Sequence, residues 1–150
     1  MKKEITKITL REITADNFWD IIELNVSEEQ KELVASNAVS IAQSKVQPEC
    51  IPMAIYSDDI PVGFIMYCID RDDNEYWIYR LMIDKKFQSK GFGRRAMEIV
   101  INIIKKDCSR NKIYLGVDKQ GVASVKLYEV LGFRFNGKVY GKEHIMVMEY

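Results

Sequence analysis

The chain has 150 residues, 47% of them hydrophobic, which is typical of a single domain over residues 1–150 with a buried core. Lysine plus arginine and aspartate plus glutamate each number 22, so no net charge favours DNA or RNA. Three cysteines without metal-site spacing suit a reducing cytoplasm. No apolar run approaches the roughly 18 residues that span a membrane, so we expect neither a membrane span nor a signal peptide.

Periodicity and turn residues predict strands and helices in an α+β order, without a linker or a repeat. In chain order, the patterns predict a strand over 5–13, a helix up to 24, a helix over 27–46, strands over 52–56, 62–69 and 76–83, a helix that includes 96–104, a strand over 112–117, a helix over 124–131 and a strand over 145–150. Turns are predicted over 57–59 and 71–74, and Asn136-Gly137 predicts a late hairpin.

Side chains that can cap a helix predict where the first two helices begin. Thr14 and Asp16 are the candidate caps of the first helix. Ser27 is followed three residues later by Gln30, which is the spacing of a capping box. We therefore predict that the second helix begins at Ser27 and ends before Pro48.

A loop with two glycines joins the strand over 76–83 to the helix that follows it. This glycine loop reads Gln88-Ser89-Lys90-Gly91-Phe92-Gly93, and Arg94 and Arg95 come directly after it. Free backbone N–H groups at the positive end of a helix dipole bind phosphate, and nearby arginines add charged hydrogen bonds. The loop therefore predicts a ligand that contains a nucleotide or a pyrophosphate.

The spacing in the glycine loop differs from two common nucleotide-binding motifs. It lacks the Gly-Lys-Ser/Thr ending of a P-loop, and Asp107 is predicted to fall inside a helix, unlike the acidic residue of a Rossmann fingerprint. The pattern Gln-x-x-Gly-x-Gly after a strand that ends Met-Ile-Asp instead resembles the GNAT superfamily of N-acetyltransferases. Downstream, Leu-Tyr-x-x-x-Gly-Phe at 127–133 is similar to the other signature of that superfamily.

The resemblance to the GNAT superfamily implies a fold, a co-substrate and a catalytic residue. It implies a mixed, mostly antiparallel sheet with flanking helices, and acetyl-CoA held in the splay between the parallel strands around Leu81 and Leu115. The matched positions imply that acetyl-CoA contacts Leu81, Met82, Ile83, Gln88, Ser89, Lys90, Gly91, Phe92, Gly93, Arg94, Ser124 and Lys126. Tyr128 is the implied general acid for the leaving thiolate, and no metal is implied.

Further segments are similar to bacterial spermine/spermidine N-acetyltransferases. These segments are 25–30, 34–37, Arg80-x-x-Ile83-Asp84, 135–137 and 146–149. The resemblance implies a small-molecule amine as acceptor and allows a homodimer. Carboxylates that hold distal ammonium groups are expected among Glu28, Glu29, Glu32 and Glu75, together with Asp72 and Asp73, and Tyr79 is expected to line the acceptor site.

The chain departs from this family at two positions. Tyr79 stands where polyamine acetyltransferases commonly have a carboxylate, and tyrosine is a poor base at neutral pH, so the general base stays unassigned. Gly121 stands where an asparagine often holds the pantetheine arm. Two alternatives therefore stay open: acetylation of another amine, such as a protein N-terminus or an aminoglycoside, and a catalytically silent acyl-CoA sensor.

Overall fold

The structure is a computed structural model that describes residues 6–150 and contains seven strands and four α-helices within them. In chain order they are β1 Ile8–Glu12, α1 Phe18–Glu23, α2 Asn37–Val46, β2 Ile51–Ser57, β3 Ile60–Ile69, β4 Tyr76–Ile83, α3 Phe92–Lys105, β5 Lys112–Val117, α4 Val122–Leu131, β6 Arg134–Tyr140 and β7 Glu143–Glu149. Short 3-10 turns lie at Glu28–Gln30 and Lys85–Phe87. Ile5, where the first strand was predicted to begin, lies outside the described residues.

The strands form one sheet in the order β1-β2-β3-β4-β5-β7-β6. Only the β4–β5 pair is parallel, and the other five neighbouring pairs are antiparallel. The prediction of a mixed, mostly antiparallel sheet with flanking helices is therefore confirmed. The predicted hairpin around 57–59 is also confirmed, because β2 and β3 pair on either side of Asp58 and Asp59.

Helices cover both faces of the sheet, and each face has its own apolar cluster. The α3 face packs α3 and α4 against strand residues such as Leu115 and Met146. Apolar residues recur along α3 at helical spacing, so one stripe of the helix is buried on that face. The α1 face packs α1 and α2 against residues such as Phe64 and Met82. Each face of the sheet is thus covered by its own pair of helices.

The parallel strands β4 and β5 separate at their carboxyl ends. Their register holds only from Tyr76 to Ile78 on β4, and these residues pair with Ile113 to Leu115 on β5. A bulge leaves Tyr79 without a partner on β3, because Ile78 pairs with Tyr67 and the next pair in the register joins Arg80 to Met66. The predicted splay between the parallel strands is confirmed, and it opens a gap in the middle of the sheet.

The predicted start of the second helix is wrong. Ser27 precedes only the short 3-10 turn at Glu28–Gln30, and its side chain accepts no capping hydrogen bond. The helix begins ten residues later, where the Ser36 side chain accepts a hydrogen bond from the Val39 N–H. The buried Asn37 amide donates to the Ile21 carbonyl at 2.9 Å, which ties this later start to α1. The tertiary contact therefore decides between two serines that have similar local capping capacity.

Two other local predictions are wrong for similar reasons. The cap residue of α1 is Asn17, because Thr14 and Asp16 are used in a turn that the Asn17 side chain closes on the Thr14 N–H. Asn136-Gly137 does not form the late hairpin but lies within β6, where the pairing with β7 is irregular. Gly137 has a φ of 86°, so it supplies a left-handed residue to this irregularity, and the hairpin turns four residues later at Gly141.

Within residues 6–150, none of the helices combines the length and the apolar composition that a membrane span requires.

Candidate active site

A groove of about 960 Å³ runs through the gap between β4 and β5. The ends of both strands, the first turn of α3 and one side of α4 form its walls. The segment 26–35, between α1 and α2, closes it on the α1 face. The groove therefore reaches from one face of the sheet to the other, so two ligands can meet in the gap from opposite sides.

The first turn of α3 directs free backbone N–H groups into one end of this groove. Gly91 precedes the helix with a φ of 80°, a conformation that glycine adopts without strain. The Arg95 N–H is the one that donates to the Gly91 carbonyl, at 3.2 Å, so the N–H groups of Phe92, Gly93 and Arg94 have no partner within the helix. All three residues line the groove, which makes this end a site for an anion such as pyrophosphate.

The side chains of the glycine loop divide into those that line the groove and those that do not. Gln88, Ser89, Gly91, Phe92, Gly93 and Arg94 line it, whereas Lys90 does not. The Gln88 amide donates to the Ile83 carbonyl at 2.9 Å and to the Gln30 side chain at 2.8 Å. Gln88 therefore holds the segment 26–35 against the end of β4, and this role was not predicted.

The two arginines after the loop differ in their contacts. Arg94 lines the groove beside the anion site, and its guanidinium forms an exposed ion pair with Glu98 at 3.1 Å. Arg95 donates to the Thr6 carbonyl and is not part of the groove wall. On α4, Ser124 lines the groove, whereas Lys126 does not.

Backbone alternation places two N–H donors in the gap itself. The Asp84 N–H donates to the Val62 carbonyl of β3 at 2.8 Å, and Met82 lies two residues earlier on the same edge of β4. Because successive N–H groups of a strand point to opposite edges, those of Leu81 and Ile83 point away from β3, toward the gap. Donors in this position can stabilise negative charge on a carbonyl oxygen.

Tyr128 reaches the gap from the α3 face. It belongs to the apolar cluster of that face, and its ring packs edge-on against Phe133 at 6.0 Å between the centroids. It is only 9% exposed but lines the groove. Burial raises the pKa of Tyr128 to about 12, with a further contribution from the negative charge of Glu143. The hydroxyl therefore keeps its proton at neutral pH and can donate it in the groove.

Tyr79 lines the groove from the bulge in β4, on the α1 face. Its hydroxyl donates to the Asp70 carboxylate, whose other oxygen accepts from the Asp72 N–H at 2.7 Å. Burial and the Asp70 carboxylate raise the pKa of Tyr79. Tyr79 therefore stays protonated and cannot act as a base near pH 7.

Two of the four predicted substrate-side glutamates lie at the groove. Glu29 and Glu32 line its wall on the α1 face, in the segment 26–35. Glu28 instead points to solvent and pairs with Lys31 at 2.6 Å. Glu75 also lies outside the groove, with one carboxylate oxygen buried and without a hydrogen-bond partner among the described residues. The placement of Glu28 and Glu75 thus differs from the expectation that they border the acceptor side.

Asp84 organises this site, although the sequence analysis assigned it only a place in a motif. Its buried carboxylate accepts from the Asn25 N–H at 2.8 Å and from the Lys86 N–H at 3.1 Å. The Lys85 N–H in turn donates to the Asn25 carbonyl at 2.9 Å. These bonds fasten the chain after α1 to the end of β4, and so they position both walls of the groove.

We expect Asp84→Ala to lower the free energy of unfolding by about 1–3 kcal/mol, because the backbone N–H groups of Asn25 and Lys86 lose a buried, charged acceptor. Urea denaturation measures this change. Asp72→Ala is the matched control, since Asp72 is exposed and its replacement should change stability by about 0.5 kcal/mol or less. Equal stability of the two variants would contradict the role given to Asp84.

Comparison with known proteins decides what kind of site this is. The model of the acetyltransferase (GNAT) family matches residues 13–133. The chain belongs to this family. Its match to the spermine/spermidine N(1)-acetyltransferase of Bacillus subtilis is 29% identical over 149 residues, which cover 95% of this chain and 98% of the relative. The resemblance that the two sequence motifs predicted is therefore confirmed.

Solved structures show the same fold with coenzyme A bound. The spermidine N-acetyltransferase of Vibrio cholerae, in complex with CoA and spermine, superposes with a TM-score of 0.72 at 18% identity and covers 95% of this chain and 94% of that one. An aminoglycoside acetyltransferase with coenzyme A and kanamycin has a TM-score of 0.78 at 18% identity and covers 95% of each chain. The GNAT fold is therefore confirmed, and acetyl-CoA is the acetyl donor.

The residues of the groove fit this donor. The N–H groups at the start of α3 suit its pyrophosphate, and the gap between β4 and β5 suits its extended arm. Gly121 precedes α4 at the wall of the gap and contributes no side chain there, so α4 offers its backbone and Ser124 to the arm.

Proposed function

We propose that this acetyltransferase transfers the acetyl group of acetyl-CoA to a primary amine of a polyamine such as spermidine or spermine. The observation that carries the proposal is the pair Glu29 and Glu32 on the acceptor wall of the groove. Neither carboxylate forms an ion pair with another of the residues 6–150. Two free carboxylates beside the gap can hold the distal ammonium groups of a polyamine while one amine reaches the thioester.

The site also explains how the chain's own groups assist acyl transfer. Acetyl-CoA supplies a thioester carbonyl, on whose oxygen negative charge develops when the amine attacks. The N–H groups of Leu81 and Ile83 can stabilise that charge, and the protonated Tyr128 hydroxyl can donate its proton to the leaving sulfur. The attacking amine must first lose a proton, since an alkylammonium with a pKa of about 10.4 is only about one part in 2,500 neutral at pH 7.

We also propose a cytoplasmic location for this reaction. Cys50, Cys68 and Cys108 are free in the structure, and free thiols are typical of proteins in a reducing compartment.

Turnover with a panel of amines tests the proposed substrate. Thiol release from acetyl-CoA should be fastest with spermine or spermidine, compared with a monoamine of similar length, an aminoglycoside and a peptide N-terminus. Because charge attraction is screened with a Debye length of about 8 Å at physiological ionic strength, KM for spermine should rise with added salt more than KM for the monoamine or for acetyl-CoA.

Variants of the three neighbouring glutamates sharpen this test. Glu29→Gln and Glu32→Gln should raise KM for spermine and reduce its salt dependence, with little change for the monoamine. Glu28→Gln is the matched control, because Glu28 lies in the same segment but outside the groove. Faster acetylation of an aminoglycoside or a peptide than of either polyamine would refute the substrate and leave the enzyme class intact. A chain that turns over no amine would be an acyl-CoA sensor.

A further inference from the structure

The side chain of Glu143 lies over Gly116 at the mouth of the gap. A Cβ atom added to Gly116 would come within 2.4 Å of the Glu143 carboxylate oxygen Oε2 and within 3.0 Å of its carboxyl carbon. Both residues line the groove. The absence of a side chain at position 116 therefore makes room for a carboxylate directly beside the separated ends of β4 and β5.

Strand alternation shows on which face this carboxylate lies. Ile113, Leu115 and Val117 pack into the cluster of the α3 face, so the intervening Gly116 faces the opposite side. On β7, Met146 and Met148 pack into the α3 cluster. Glu143 lies an odd number of residues from both, so its side chain points to the opposite face. Glu143 thus lies on the α1 face, where the acceptor wall is.

Tyr128 and Glu143 therefore line the same groove from opposite sides of the sheet. Tyr128 belongs to the α3 face, where the first turn of α3 forms the anion site. Glu143 lies on the acceptor side but is near enough for its charge to act on the Tyr128 hydroxyl. A proton donor for the leaving group and a carboxylate for the nucleophile are thus placed on the two sides of one reaction centre.

We propose that Glu143 is the general base that takes a proton from the acceptor ammonium. This inference rests on acetylation of an amine, but not on whether that amine is a polyamine. The Glu143 carboxylate removes one proton, and the freed nitrogen lone pair forms the new C–N bond. The C–S bond then breaks and its electron pair leaves with sulfur, which receives a proton from Tyr128. The second proton lost by nitrogen restores Tyr128, and the proton on Glu143 passes to solvent.

The other acidic and tyrosine side chains of the groove are less suited to this step. Asp118 already accepts a hydrogen bond from the Gln120 N–H at 2.9 Å in the turn before α4. Tyr79 is protonated and already donates its hydroxyl to Asp70. Glu29 and Glu32 belong to the segment 26–35, on the wall that we assign to distal ammonium groups. Glu143 is exposed and has no ion-pair partner among residues 6–150, so it can return its proton to water after each turnover.

Glu143→Gln tests the proposal with whichever amine the wild-type enzyme acetylates best. A positioned base typically contributes on the order of 10²–10⁴-fold, so kcat/KM for that alkylammonium should fall by this factor. Calorimetry should give an unchanged affinity for CoA, because Glu143 lies on the other face from the anion site. Glu149→Gln is the matched control on β7, since Glu149 is exposed and outside the groove.

An amine that is already neutral at the assay pH separates a base from a merely structural residue. A fluorinated alkylamine needs no base, so Glu143→Gln should reduce its acetylation far less than that of the alkylammonium. An equal loss with both amines, or wild-type kcat/KM for the alkylammonium, would overturn the proposal. If the best acceptor is not a polyamine, the polyamine proposal fails. The comparison of the two amines still decides the role of Glu143.

Gly116→Ala provides a second variant that leaves the carboxylate in the protein but displaces it. The new Cβ forces the flexible Glu143 side chain to move, and a misplacement of about 1 Å can cost up to about 10²-fold. The same change added to Glu143→Gln should have little further effect, because the base is already gone. Independent, multiplicative losses in the double variant would contradict the placement of Glu143 over Gly116.

Discussion

Gly93→Glu should abolish measurable binding of CoA while the protein remains folded. Gly93 is the second residue of α3 and its N–H group belongs to the anion site. A glutamate there places a carboxylate, and several more atoms, where the pyrophosphate must approach the backbone, so both charge repulsion and volume oppose binding. Isothermal titration calorimetry with CoA measures the loss, and circular dichroism checks the fold.

Gly93→Ala is the matched control for this effect. A Cβ at position 93 would lie 3.6 Å from Ile83 and 3.8 Å from Leu127, which is ordinary van der Waals contact. Gly93 also has no positive φ, so alanine introduces no backbone strain. We therefore expect Gly93→Ala to retain CoA binding. Unchanged CoA affinity in Gly93→Glu would remove the main support for an anion site at α3.

The strand, the glycine loop and helix α3 could be predicted because their signals are local. The two glycines, the apolar stripe of α3 and the apolar run of β4 each follow from short-range periodicity and turn chemistry. The positions of Gly93 and Tyr128 in the groove follow from these elements and from the second motif. The groove positions of these two residues could therefore be predicted from local sequence, whereas Lys90 and Lys126, which the same motifs implied as cofactor contacts, lie outside the groove.

The acceptor half depends on contacts between distant parts of the chain, which explains the errors there. Ser27 and Ser36 both have the chemistry of a cap, and the burial of Asn37 against α1 selects Ser36. The placement of Glu143 follows from the register that pairs Gly116 with Ile145 on β7. A one-residue shift of that register would turn Glu143 to the other face, and no local pattern fixes the register.

Tyr128→Phe should lower kcat by on the order of 10²–10⁴-fold with little change in CoA affinity. The ring packs against Phe133 in the α3-face cluster, and phenylalanine preserves that packing. The expected fall in kcat arises because phenylalanine has no hydroxyl to donate a proton to the departing sulfur. Steady-state assays of thiol release at saturating amine and acetyl-CoA give kcat, and calorimetry gives the CoA affinity. Tyr140→Phe is the control, because Tyr140 is 58% exposed on β6 and lies outside the groove.

The pH dependence provides an independent check on Tyr128. Its pKa, raised to about 12 by burial and by the charge of Glu143, keeps the hydroxyl protonated throughout the neutral range and well above it. Titration of Tyr128 should therefore cause no fall in wild-type kcat as the pH rises from 7 to about 10, which is the ordinary tyrosine pKa. Wild-type turnover in Tyr128→Phe would show that the residue only packs, and that water protonates the thiolate instead.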